Sequence, residues 1–157
     1  MEKNQKQAAT NNETRKHIAM VAKFINIIVR HLQSRAVEHD ATKMDTPELE
    51  LFTEWTEKLA SCTYGSEEYK KFLEGLKPAL DHHYARNRHH PEHYKDGIKD
   101  MTLIDLVEMF CDWKSATLRH NDGNILKSID HNAKRFGIEP QLEQIFRNTA
   151  ELFEHEE

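Results

Sequence analysis

Five of the chain's eleven histidines fall in the twelve-residue window from His82 to His93, as His82, His83, His89, His90 and His93, downstream of a His39-Asp40 pair. Neutral imidazole is the commonest protein ligand for zinc and other first-row metals, and a carboxylate beside it adds charge and can bridge two ions. The chemistry these residue types point to is a metal site.

Helical spacing turns the window into geometry. His83 shares a face with Leu76, Leu80 and Asn87 and points toward the core those leucines seek, while His82 lies about 100° round the helix and is the poorer ligand. His90 directly precedes Pro91, so the chain leaves the helix beyond Asn87, and His89 or His90 can turn back toward His83. Further on, Asp105, Glu108, Asp112, Ser115 and Arg119 recur at spacings of three and four and form one polar stripe on a largely apolar helix. Asp112 is the stripe's candidate ligand, although pairing with Lys114 or Arg119 would also satisfy it.

Together His39, Asp40, His83, His89 or His90, and Asp112 supply ligands for one or two divalent transition ions, with manganese, zinc, nickel and iron all compatible. Such an ion lowers the pKa of its bound water and aims a hydroxide at phosphorus or carbon, which is hydrolase chemistry. Asp40 would then belong to the catalytic set, and Glu92 or His93 would transfer protons near that water.

The frame around these residues is simple. A chain of 157 residues with five glycines and four prolines is about one domain long and can bury a core. A net charge of −5 argues against nucleic-acid backbone binding as its main business. Cys62 and Cys111 stand alone, with no disulfide framework and no thiolate zinc finger, which fits a reducing, cytoplasmic setting. No apolar run reaches membrane-span length, and residues 1–13 read as a flexible polar lead-in without a signal-peptide core.

From Thr14, Ile18, Val21, Ile25, Ile28 and Leu32 predict a helix. Thr46-Pro47-Glu48 predicts the start of a second, ending near Thr63, Gly65 and Ser66. A third runs from Ser66, with Pro78 predicting a kink or break near Lys77. A central helix over Met101 to His120, one over Asn124 to Phe136 stopped by Gly137, and a last one from Pro140 complete an all-α domain over 14–157, of about six or seven helices. Trp55, Tyr64 and Tyr69 serve either an interface or core packing.

These residues also carry a resemblance. His17, His39-Asp40-Ala41-Thr42-Lys43 with Glu48 and Phe52, Tyr64-Gly65, His82-His83 with Asn87 and His89-His90, and Glu108-Met109 with Asp112-Trp113 resemble a family of small uncharacterised proteins of bacteria and their phages. The match runs over roughly 15–137. The order of His, His-Asp, further His and Asp is also similar to the HD-domain superfamily of metal-dependent phosphohydrolases. That resemblance implies an HD-like fold, with His17, His39, Asp40 and Asp112 as metal ligands and the intervening histidines on a second ion. It places Lys43 near a phosphate; on the phosphohydrolase reading Arg119 and Arg135 are further available cations for that phosphate, and Asn87 is a further candidate substrate-binding residue. The implied partner is a nucleotide or another small phosphorylated substrate, with a homo-oligomer left open. Two other readings keep the same residues: a di-iron oxygenase on an HD-like scaffold, or a non-catalytic helical interaction module.

One departure from the superfamily is arithmetic. His17 and His39 are 22 residues apart, and on one unbroken helix they would stand about 33 Å apart. Ligation by both requires a reversal near Ile27 to Arg30, yet no Gly or Pro marks one there.

Overall fold

The computed structural model describes residues 2–60, 67–119 and 123–154, and every regular element among them is helical. The chain divides into two units, Met1–Val37 and Glu38–Glu157.

The first unit is carried by helix α1, Glu2–Glu38. The lead-in expected over 1–13 is helical from Glu2, and the unit boundary falls at Val37 instead of at residue 13. The reason lies in the residues: the stretch has no glycine or proline, and its Lys, Gln, Ala and Glu are good helix formers. No reversal interrupts Ile27 to Arg30, and no residue of α1 is buried. Its apolar positions Ile18, Val21, Phe24, Ile25 and Ile28 are all exposed.

The second unit opens with the turn His39-Asp40 and a 3-10 turn, Ala41–Met44. Asp40 caps that turn in the left-handed region, with φ 55°, the one non-glycine residue with positive φ among those described. Aspartate tolerates this conformation better than most side chains.

Helix α2, Glu48–Ala60, packs against α3, Glu67–Arg86. Gly75 makes the approach close, since a Cβ there would lie 2.6 Å from Trp55 Cζ2. Trp55 meets Phe72 at 5.5 Å between ring centroids, so it packs between these helices. The end of α2 expected at Thr63, Gly65 and Ser66, along with Tyr64 and the side chain of Tyr69, lies outside the described residues. Pro78 sits inside α3 without breaking it. A proline forfeits one backbone hydrogen bond, and burial of Leu76, Ala79 and His83 on either side holds the helix together across it.

Two further 3-10 turns, Pro91–His93 and Gly97–Asp100, lead to α4, Leu103–Thr117, then α5, Ile125–Phe136, and α6, Pro140–Glu154. Thr102 and Asp105 close a reciprocal capping box on α4. Asn124 caps α5, and Gly137 ends it in the left-handed conformation with φ 61°. The apolar core is built from α4, α5 and α6: Met109, Phe110, Trp113, Ile129, Ala133, Ile138, Phe146 and Ala150. Phe110 stacks on Phe146 at 5.1 Å, and Trp113 meets the same ring edge-on at 5.6 Å. No helix among the described residues is long and apolar enough to cross a membrane.

Candidate metal centre

Four local structures converge on one place in the second unit. The left-handed turn presents His39 and Asp40. The last turn of α3 presents His83. The Asn87–His90 turn presents His89 and His90, and α4 presents Glu108 and Asp112. His90 adopts φ −96° and ψ 127°, the extended conformation that a following proline demands, and Pro91 starts the next 3-10 turn.

Two buried glutamates set the orientation of the imidazoles. Glu48, fully buried in the first turn of α2, accepts hydrogen bonds from His82 Nδ1 at 2.7 Å and His83 Nδ1 at 2.8 Å. The amide of Asn87 donates to Thr42 Oγ1 at 2.8 Å and to the His83 carbonyl at 2.9 Å. With both amide hydrogens so used, His83 Nδ1 is left to donate to Glu48. Glu108 Oε1 lies 2.9 Å from His39 Nδ1 and 3.1 Å from His89 Nδ1. With the Nδ1 atoms of His39 and His83 hydrogen-bonded from behind, and His89 Nδ1 beside Glu108 without a hydrogen bond, the three rings turn Nε2 toward the carboxylates of Asp40 and Asp112.

The distances across this space are those of ligands around an ion. His83 Nε2 and His90 Nε2 face each other at 2.9 Å. Asp40 Oδ1 lies 3.2 Å from His83 Nε2 and 3.5 Å from His89 Nε2. Asp40 Oδ2 lies 3.6 Å from His39 Nε2, which also faces Asp112 Oδ1 at 3.8 Å. Ligand bonds of about 2.0–2.2 Å set neighbouring donor atoms about 3–3.5 Å apart, which the separations among Asp40, His83, His89 and His90 match, while those of His39 are a few tenths of an ångström longer. Asp40 Oδ1 and both ring nitrogens of His89 are buried without a hydrogen bond. Buried polar atoms left in this way call for a partner, and a cation among the ligand atoms would answer Asp40 Oδ1 and His89 Nε2. Ligand atoms group as Asp40, His83, His89 and His90 on one side and as His39, Asp40 and Asp112 on the other, with Asp40 common to both. His39, His89 and Glu108 form a third grouping.

The electrostatics follow from the same neighbours. Asp112 and then Glu108 push the His39 imidazole up to about 10, against the opposing effect of burial. Burial, helped by the adjoining His89 and His83, pushes His90 down to about 3 and keeps it a neutral donor. Burial alone would raise the Asp40 carboxyl, but His83 and the Lys43 ammonium more than offset it and hold it below the carboxylate range. Lys43 Nζ donates to Asp40 Oδ2 at 2.6 Å. Glu48 and Asp112 are likewise held low against burial, Glu48 by His82, Thr42 and His83 and Asp112 mainly by His39.

Of the residues expected in the site, His39, Asp40, His83, His89, His90 and Asp112 are brought together, and both members of the His89–His90 pair take part. His17 is not among them: it is exposed on the uninterrupted α1, where the reversal its ligation required does not occur. His93 turns its Nδ1 to the Tyr84 carbonyl at 2.8 Å, and Glu92 pairs with Arg135 at 2.7 Å; neither is among the grouped ligand residues. Asn87 braces His83 through the latter's carbonyl, and Arg119 is exposed in the turn after α4. Cys111 is also exposed.

Glu108 and Glu48 were not read as site residues from the sequence. The signal for Glu108 was its spacing of four from Asp112, which puts both on one side of α4. Glu48 gave no signal beyond its place in the shared pattern. Asp105 is a third residue of this kind. It is fully buried and accepts from Arg88 Nε at 3.2 Å, Tyr94 Oη at 2.8 Å and Thr102 Oγ1 at 2.6 Å, tying the chain on either side of the histidine turn to the start of α4.

Fold and site together define an all-α protein with a buried His and carboxylate cluster suited to one or two ions. The chain belongs to a family of unknown function, DUF5662, whose model matches residues 6–152. Neither the curated proteins nor the solved structures hold a match to it.

Proposed function

We propose that the protein is a metal-dependent phosphohydrolase acting on a small phosphorylated substrate through one or two divalent ions held by His39, Asp40, His83, His89, His90 and Asp112. The observation that carries this reading is the convergence of four Nε2 atoms and two carboxylates around buried, unbonded Asp40 Oδ1 and His89 nitrogens. The ligands are imidazole and carboxylate without thiolate. Structural zinc sites are usually closed and rich in cysteine, whereas this set leaves room for water.

A bound ion supplies Lewis acidity and a water of lowered pKa. In the proposed hydrolysis a water oxygen would join phosphorus as the ester P–O bond breaks, with the water's proton passing to the departing alcohol to give alcohol and inorganic phosphate. Asp40, common to two ligand groupings, would contribute to holding either ion. Lys43, on Asp40 Oδ2, supplies positive charge at the edge of the cluster. The HD-domain resemblance of the His, His-Asp, His and Asp order supports the reaction class as an analogy, without His17 in the ligand set. The di-iron oxygenase reading uses the same ligands, because these donor types suit iron and the other ions alike.

The test is elemental analysis of the purified chain after incubation with manganese, zinc, nickel or ferrous iron, beside a His39→Gln/Asp40→Asn variant. Phosphatase assays on nucleotides and simple phosphate esters follow. One or two equivalents of metal that vanish in the variant, with ester cleavage that vanishes too, support the proposal. Absence of metal from the wild type with every ion overturns it. Metal uptake with oxygen consumption by the iron form and no ester cleavage transfers the site to the oxygenase reading.

A further inference from the structure

A cavity of about 230 Å³ adjoins the metal cluster. His89, His90 and Asp112 form part of its wall, so whatever binds there reaches the ions' ligands directly. The rest is contributed by the end of α3, by α4 and by α5. Its polar groups are Tyr84, Ser128, Asn132 and Arg135, and its apolar surface includes Met109, Trp113 and Phe136. Apolar walls with several convergent polar groups suit a small polar molecule with a short carbon chain. Arg135 is the cation of this lining. Its guanidinium is held at the half-exposed edge by Glu92, 2.7 Å away, and lies 4.6 Å from the Phe136 ring centroid.

Size decides what fits. An apolar cavity of about 150 Å³ holds one benzene, so by proportion 230 Å³ holds about nine or ten heavy atoms. A phosphate on a three-carbon chain bearing two hydroxyls has about that many. A nucleoside monophosphate has more than twice as many and would leave its base outside.

Building on the phosphohydrolase reading, we propose that this cavity is the substrate subsite and that it selects a compact phosphomonoester, of about two to four carbons, over a nucleotide. The phosphate lies between the metal ligands and Arg135, which exchanges Glu92 for the incoming anion. The short carbon chain lies against Trp113 and Met109, with Ser128 and Asn132 in reach of its hydroxyls. Arg135 is fit for this exchange because a guanidinium matches phosphate oxygens in a bidentate manner, and its present partner is a rim carboxylate that water can also satisfy.

The test uses full-length, manganese-loaded protein and reads metal content, binding and hydrolysis separately. Inorganic phosphate, glycerol 2-phosphate and AMP are titrated by calorimetry, and both esters are assayed for phosphate release. The expected result is glycerol 2-phosphate preferred over AMP by at least tenfold in binding or in kcat/KM. Arg135→Gln is expected to weaken inorganic phosphate at least tenfold with metal content unchanged. Ser128→Leu, which fills the cavity, is expected to lose glycerol 2-phosphate while inorganic phosphate still binds. AMP used as well as the small ester, or phosphate binding unchanged in Arg135→Gln that retains its metal, overturns the proposal. Metal uptake with no hydrolysis of either ester sinks the phosphohydrolase reading alone, since the binding titrations then still decide whether the cavity selects by size.

Discussion

At the residue scale, the cluster depends as much on the two glutamates behind the histidines as on the ligands themselves. Glu48 receives Nδ1 of His82 and His83, and Glu108 faces Nδ1 of His39 and His89. An outer carboxylate of this kind fixes which ring nitrogen is free to bind, and its loss costs about 10–100-fold in metal affinity. Glu48→Gln is therefore expected to lower metal affinity by that factor while helix content by circular dichroism stays at wild-type level. Competition with a chromophoric chelator measures it, and unchanged affinity would show that His83 needs no such brace. Asp40 faces a second demand, because its φ of 55° suits asparagine but costs a β-branched or bulky residue. Asp40→Asn is expected to keep the fold and lose the ion, whereas Asp40→Val is expected to lower Tm as well, by a strain of about 1–3 kcal/mol. Equal melting of the two variants would remove the backbone part of the argument.

At the scale of elements, the histidine turn is held to α4 by Asp105. Burial would raise this carboxyl, but the Thr102 side chain and backbone, then Arg88 and Tyr94, hold it well below the usual carboxylate range. A depressed folded-state value means that the stabilisation is fully present above the unfolded value of about 3.9 and is lost as pH falls through the folded value beneath it. Asp105→Asn is expected to be less stable than the wild type by about 1–3 kcal/mol at neutral pH. That gap should hold down to about pH 4 and narrow below it. Urea unfolding across this range checks both sign and window, and a gap that widens in acid would contradict the assignment. Between α2 and α3, Gly75→Ala sets a helix-propensity gain of about 1 kcal/mol against overpacking of about 1–3 kcal/mol, because its Cβ meets the Trp55 ring. The expected outcome is a lower Tm with shifted tryptophan emission; a higher Tm would mean that the ring moves aside at little cost.

Much of this level was legible beforehand. Apolar spacing gave α4, α5 and α6, and Asn124 with Gly137 marked both ends of α5, because caps and left-handed stops are local chemistry. His90 before Pro91 announced the turn for the same reason. Of the kink or break expected at Pro78, the break does not occur, since a single lost hydrogen bond is outweighed by packing that only the assembled helices possess. Glu48, Glu108 and Asp105 stayed hidden because a buried carboxylate is recognised by the partners that fold around it, and those lie 34, 69 and 17 residues away in sequence.

At the scale of the whole molecule, the two units differ in what sustains them. Helical stability in proteins comes mostly from packing an apolar face, and α1 has no buried residue although Ile18, Val21, Ile25 and Ile28 recur along it. Amides of residues 2–30 are expected to exchange with deuterium far faster than those of α4, which carries Met109, Phe110 and Trp113 in the core. Equal protection in the two helices would mean that another chain covers α1. Helix α4 itself has a further consequence, because it presents Glu108 and Asp112 to the ligand cluster and Phe110 and Trp113 to the aromatic core. On the proposed reading, an ion held by this helix would bind only the folded chain and so would enter the folding equilibrium by mass action. At a free-ion concentration of about one hundred times Kd, it adds about 2.7 kcal/mol to the unfolding free energy. The melting temperature of the core is thereby a gauge of how much metal surrounds the protein, and a chelator would soften aromatic packing that has no metal ligand of its own.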